Sequence, residues 1–196
     1  MTPPVLEIVS LAKQYGGLRP LRIERLTVLP ADLVALLGFD QAAAEPLTAL
    51  VTGVTLPDTG EVSLFGRPTT AIHDSDAWLT HIDQIGVVAE RAVLLESRCV
   101  VQNLPMPYTL QIEPPSEEIL GAATALAAEA GVPAGVLAHP LGRLDREVQV
   151  RVRLARALAL GPRLLILEQP TADLRPAQAR VLASDWRAIA SRRGLS

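Results

Sequence analysis

Two short runs built wholly of apolar residues, Leu33-Val34-Ala35-Leu36-Leu37 and Leu164-Leu165-Ile166-Leu167, do most to limit what this chain can fold into. A strand that is apolar on both faces has to be covered on both faces, which calls for helices packed against it. Each run leads into a helical pattern. Gly38 closes the first, and an alanine-rich stretch follows as far as Gly53. Beyond the second, Pro176 to Arg193 returns to helix spacing. With 196 residues, 49% of them apolar and 20% charged, the chain is long enough to bury one sizeable core. The expectation is one compact α/β domain with Leu33–Leu37 as a buried strand.

The rest of the chain punctuates itself clearly. Short apolar runs between Val5 and Val34 are separated by Gly16-Gly17 and Pro30, which reads as strands and turns. Pro57-Asp58-Thr59-Gly60 is a turn signature, because proline presets one dihedral and glycine accepts positive φ, and a strand follows over Glu61–Phe65. Another short strand lies between Ile85 and Glu90, and Pro105 to Pro115 is a connector with four prolines. Ser116, followed by Glu117-Glu118, is an N-cap with acidic residues in the first turn, and Gly131-Val132-Pro133 stops that helix. Arg146 to Leu160 is an amphipathic helix with four arginines among its apolar residues, and Gly161-Pro162 ends it.

Composition excludes several roles. A formal charge of −3 gives no broad basic field for nucleic acid. The single cysteine, Cys99, forms no internal disulfide, and no histidine or cysteine spacing suits a metal, so a reducing, cytoplasmic setting is expected. Met1-Thr2-Pro3-Pro4 has neither a basic start nor an apolar signal core, and no run of 18 apolar residues is present. Membrane association is expected only through a partner.

The order and spacing of these segments resemble the ATP-binding-cassette (ABC) ATPases of transporters. The resemblance is carried by the strand ending at Gly38, the turn Pro57–Val62, and Leu154-Ala155-Arg156-Ala157-Leu158 followed by Pro162-Arg163 and Leu164–Thr171. It covers essentially all 196 residues. It implies a P-loop NTPase-like parallel sheet, an N-terminal antiparallel β part and a helical subdomain with connector over about 92–145, in a single domain that stops at Ser196 before the family's switch histidine. Asn103-Leu104-Pro105-Met106-Pro107-Tyr108 also looks like the connector of lipoprotein-release and phospholipid-trafficking ATPases, although proline-rich connectors occur in many domains.

Against that family the nucleotide residues are degenerate. Gly38 stands where the phosphate loop begins, but Gln41 and Ala43 replace glycines, Ala44 replaces the lysine and Glu45 the magnesium-holding serine. Pro46 then falls at the expected start of a helix, with Glu45 favourably placed at the positive end of its dipole. Losing the lysine alone costs about 1.5–3 kcal/mol of phosphate binding. Glu168 replaces the magnesium aspartate on a longer arm, and Gln169 replaces the water-orienting glutamate with a group that is no base near neutral pH. The signature loop aligns with Leu144-Asp145-Arg146-Glu147-Val148, without its glycines, and Glu90 replaces the loop glutamine. Arg175 stands for the aspartate that ends the dimer-contact loop. Tyr15 aligns with the aromatic that stacks on adenine, or is a half-buried tyrosine at a loop edge. His73, His81 and His139 are surface or packing residues.

The resemblance thus implies a pseudo-ATPase that takes no cofactor, or ATP with magnesium only weakly. It would be a structural or regulatory partner of an ABC permease or of a second ABC ATPase, peripheral at the inner membrane through that permease. The alternatives are a scaffold that uses the fold without nucleotide, with Arg143, Arg146, Arg151, Arg153 and Arg156 facing an anionic partner or solvent, and a working ATPase with unusual motifs.

Overall fold

The computed structural model describes residues 3–196; Met1 and Thr2, which entered the argument about a leader, lie outside it. The chain divides into two units, one running to Ile85 and including Gly194–Ser196, the other Gly86–Arg193.

The first unit contains strands β1 (Leu6–Lys13) and β2 (Leu21–Val28), helix α1 (Gln41–Val51), strands β3 (Thr59–Leu64) and β4 (Arg67–Pro68), and helix α2 (Ser75–Ile82). The strands form one sheet in the order β2-β1-β3-β4, with antiparallel neighbours throughout. Register is set by the alternation of β1: Leu6 faces Val28 on one side and Leu64 on the other, Ile8 faces Val62, and all five are buried. Between Val9 and Ala12 the pairing slips by a bulge, where Ser10 has φ +48°. Gly60, at φ +82°, sits directly opposite. A Cβ there would lie 2.3 Å from the carbonyl oxygen of Ser10, so the expected turn needs glycine for space as well as for its dihedral. Asp58 of the same turn accepts from the Gln14 N–H (2.7 Å) and from Lys13 Nζ (2.8 Å), which together hold its carboxyl below the usual range.

The two helices of this unit are closed off by side chains. Asp74 caps α2 by accepting from Ala77 N at 2.7 Å. The carbonyls of Val51 and Thr52 at the end of α1 meet the His81 ring (Nε2, 2.8 Å) and the indole N–H of Trp78 (3.1 Å). His81 is therefore the packing residue that the sequence suggests.

One expectation fails here. Leu33–Leu37 is not a buried strand: the run is irregular, and Leu33, Val34, Leu36 and Leu37 are between 42% and 88% exposed. A turn at Leu29–Asp32, in which Asp32 Oδ2 accepts from Leu29 N, ends β2. Among the described residues, no backbone hydrogen bond joins 33–38 to another strand. Apolar composition marks a segment that suits a sheet interior, but a strand exists only where a neighbouring backbone completes its ladder.

The second unit takes in β5 (Ile85–Val88) from its second residue, then α3 (Val100–Asn103), α4 (Glu117–Glu129), α5 (Arg146–Ala157), β6 (Leu164–Leu167) and α6 (Pro176–Arg193). β5 and β6 form a two-stranded sheet, and Glu168 N continues it to Val88 O at 2.9 Å. Ser116 caps α4 as its sequence predicts, accepting from Ile119 N at 3.3 Å. α4 buries only Ala123 and Ala127, small residues that let α5 approach closely. α5 buries six consecutive residues, Val150 to Ala155, and is covered on every side. Its charged residues are accordingly not a solvated face. Arg151 is buried and donates to Ala130 O (3.0 Å), Asp185 (2.8 Å) and Glu147 (2.9 Å). Gly131 leaves room for it: a Cβ there would lie 2.3 Å from Arg151 Nη1. α6 presents Leu182, Trp186 and Ile189 inward at helical spacing, and Arg193 clasps Glu129 at 2.8 and 2.6 Å.

Gly60→Ala is expected to lower stability by about 2 kcal/mol or more, whereas Leu37→Asp, at an exposed position, should change it by less than about 0.5 kcal/mol. Urea denaturation of both variants checks the bulge and the exposed run together. The Arg193 hydrogen bonds hold the Glu129 carboxyl below its usual range despite partial burial. Its contribution is present above the ordinary glutamate pKa and is lost as pH falls through the lowered value. Glu129→Gln should thus destabilise near pH 7, with the difference from wild type shrinking as pH falls below the ordinary glutamate range, as thermal melts across acidic pH will read.

Candidate nucleotide site

The segment that replaces the phosphate loop begins as expected, with Gly38 at φ +81° in open space. It then departs from a loop, because α1 starts at Gln41, inside the motif. Asp40 is the N-cap: its carboxylate accepts from Ala43 N at 2.9 Å, and its carbonyl accepts from Ala44 N at 3.0 Å. The Ala43 and Ala44 amides are thus taken by Asp40, whose carboxylate lies at the positive end of the helix dipole.

Two expectations are corrected as a result. Pro46 is not in the first turn but the sixth residue of α1, and Glu45 is likewise beyond the first turn. Glu45 instead accepts from Gln41 Nε2 at 2.9 Å across one helical turn. The anion at the helix start is Asp40, which the sequence reading passed over; a short acidic residue directly before an alanine-rich helix was its signal. Ala43 and Ala44 are half-buried and bring no charge. The chain has one lysine, Lys13, and Asp58 holds it at 2.8 Å. Tyr15 is half-buried with its ring against Gly17, whose Cβ, were there one, would lie 2.7 Å from the Tyr15 ring.

In the second unit, Glu168 stands at the end of β6 and is 5% exposed. Its carboxylate is taken up by a fork from Arg91: Nη2 donates to Oε1 at 2.7 Å and Nη1 donates to Oε2. Gln169 follows with left-handed backbone, φ +39°, and its side chain is exposed. Glu90, just after β5, meets Arg146 at the first residue of α5, and the same Arg146 Nη2 donates to Asp173 at 3.2 Å. The signature position is thus turned toward the chain's own carboxylates. Burial works against the Arg146 charge, but its bonds to Asp173 and Glu90 outweigh this and raise its pKa. Arg153 donates to Glu90 O (3.3 Å), and Arg156 donates to Val93 O (2.6 Å). Burial, then the charge of the preceding arginine in the stripe, pushes both below their usual value.

In the first unit the segment before α1 carries no lysine and its Asp40 caps the helix; in the second, the Glu168 carboxylate is paired with the Arg91 guanidinium. From sequence, Arg91 has no part, and Arg153 and Arg156 are expected to face an anionic partner or solvent, whereas these two donate to backbone carbonyls of the chain. Their role depends on which backbone carbonyls and carboxylates the fold leaves within reach.

The fold is that of the ATP-binding cassettes of known structure. Similar solved structures include cbiO1 from Clostridium perfringens, at TM-score 0.81 and 20% identity, over 98% of this chain and 76% of that one. The ATP-binding cassette MJ0796 bound to ADP and Pi superposes at 0.76 with 19% identity, over 96% and 84%. No protein-family model matches the sequence. The uncharacterized ABC transporter ATP-binding protein Rv0986 of Mycobacterium tuberculosis is 32% identical over 185 residues, 87% of this chain and 70% of that protein. The chain belongs to the ATP-binding proteins of ABC transporters. The methionine import ATP-binding protein MetN of Brucella abortus is 26% identical over 98% of the chain, which spans about half the length (52%) of that relative. Among the described residues, no helix is long and apolar enough to cross a membrane.

Arg91→Ala should cost about 3 kcal/mol, because it strands a buried carboxylate, while the double variant Arg91→Met with Glu168→Met should recover most of the loss. Denaturant titration of the three proteins checks it; a loss under about 0.5 kcal/mol in the single variant would mean that solvent screens the pair.

Proposed function

We propose that the chain is a non-hydrolysing ABC subunit, a structural or regulatory partner of an ABC permease or of a second ABC ATPase. The observation that carries this reading is the start of α1 at Gln41, with Asp40 occupying the place where phosphates would sit. The Arg91–Glu168 fork supports it from the other nucleotide motif. A retained family fold with a self-satisfied site is what selection for assembly, rather than for turnover, leaves behind.

The company kept by similar proteins supports a partner. cbiO1 is described as part of the complex cbiONQ, MJ0796 as dimeric, and MetN as an import protein. With no membrane-crossing helix among the described residues, attachment runs through the permease, on its cytoplasmic side.

Calorimetric titration of the purified chain with ATP and magnesium, beside a phosphate-release assay, tests the reading. No heat and no phosphate are expected at millimolar nucleotide. Micromolar binding would require the first turn of α1 to unwind and would overturn it; so would sustained turnover.

A further inference from the structure

Three arginines of α5 act on one short piece of backbone. Arg146, Arg153 and Arg156 are spaced i, i+7 and i+10, which places them along one stripe of the helix, about 15 Å long at 1.5 Å per residue. Glu90–Val93 lies between β5 and α3, and the contacts run along it in order. Arg146 meets the Glu90 carboxylate, Arg153 Nη2 reaches Glu90 O at 3.3 Å with Nε 3.5 Å from Ala92 O, and Arg156 Nη1 reaches Val93 O at 2.6 Å. Between the first and last of these, Arg91 turns the other way and forks onto Glu168.

The segment does little to hold itself. Among the described residues its own backbone contributes one turn, Ala92 N to Ala89 O at 3.1 Å. Its carbonyls are instead acceptors for cations that have few other places to go: Arg153 is 9% exposed, and no carboxylate pairs with Arg153 or Arg156 among the described residues. Lifting the segment away would leave the buried Arg153 guanidinium without its acceptors, a larger cost than breaking one turn. Arg146 carries the connection onward to Asp173, beyond β6.

We propose that the arginine stripe of α5 locks Glu90–Val93 and the Asp173 loop into one body with the helix, so that the segment keeps its position whatever occupies the nucleotide motifs. The lock goes beyond the non-hydrolysing reading and does not depend on it. Val93, 68% exposed, is then carried on a fixed support and not on a mobile loop.

Hydrogen exchange on the whole chain, with and without magnesium ATP, tests the lock. Wild-type exchange over residues 90–95 should be unchanged by nucleotide. In Arg153→Ala, Arg156→Ala it should rise about tenfold or more while α4 stays within about twofold. If that variant unfolds throughout, Glu90→Ala with Asp173→Asn, at two exposed positions, replaces it and should also raise exchange over 90–95. Unchanged exchange over 90–95 in a folded variant overturns the lock, as does a wild-type segment that slows when nucleotide is added. Nucleotide binding that leaves 90–95 untouched would defeat the functional reading and leave the lock standing.

Discussion

A guanidinium buried in the middle of a helix obliges its surroundings to supply acceptors, and α5 buries two in a row of six covered residues. Arg151 collects the last carbonyl of α4, a carboxylate one turn back and Asp185 of α6. Arg153, on another side, collects carbonyls from the segment after β5. The helices and the post-strand segments of the second unit are therefore arranged around charges that cannot be left unpaired. Apolar contacts alone would tolerate slippage between these elements, but forked hydrogen bonds at about 3 Å fix direction as well as distance.

Much of the fold could be read from the residues, because punctuation and periodicity are local. Pro57–Gly60, Ser116 and Gly161-Pro162 carry their own backbone instructions, and α4, β6 and α6 fall where the sequence places them. Leu33–Leu37 was misread because its composition reports a preference for burial, while strand formation depends on a partner that no local pattern reveals. The arginines of α5 were misread for a related reason. Alternating charge along a helix usually marks a wet face, and nothing within ten residues discloses that the acceptors come from Ala130, Asp185 and Glu90.

The nucleotide motifs divide along the same line. That Ala44 brings no cation and Gln169 no carboxylate is written in the residues themselves. That the helix begins three residues before the substituted lysine position is not, since it turns on Asp40 winning the first amides. Once an N-cap claims those donors, glycines that would keep the loop open have no purpose, and alanines, the best helix formers, take their places. Loss of the cation and lengthening of the helix are two sides of one change.

Gly131 and Arg151 illustrate what such packing means for inheritance. The guanidinium fills the space that any side chain at 131 would need, and the glycine's φ of +78° is one that other residues adopt at a cost. A side chain at 131 would push the guanidinium off the Ala130 carbonyl, and losing the arginine would leave that carbonyl at the end of α4 without its donor. The glycine and the arginine therefore bear on the same few ångströms, and a change at either is felt at the other.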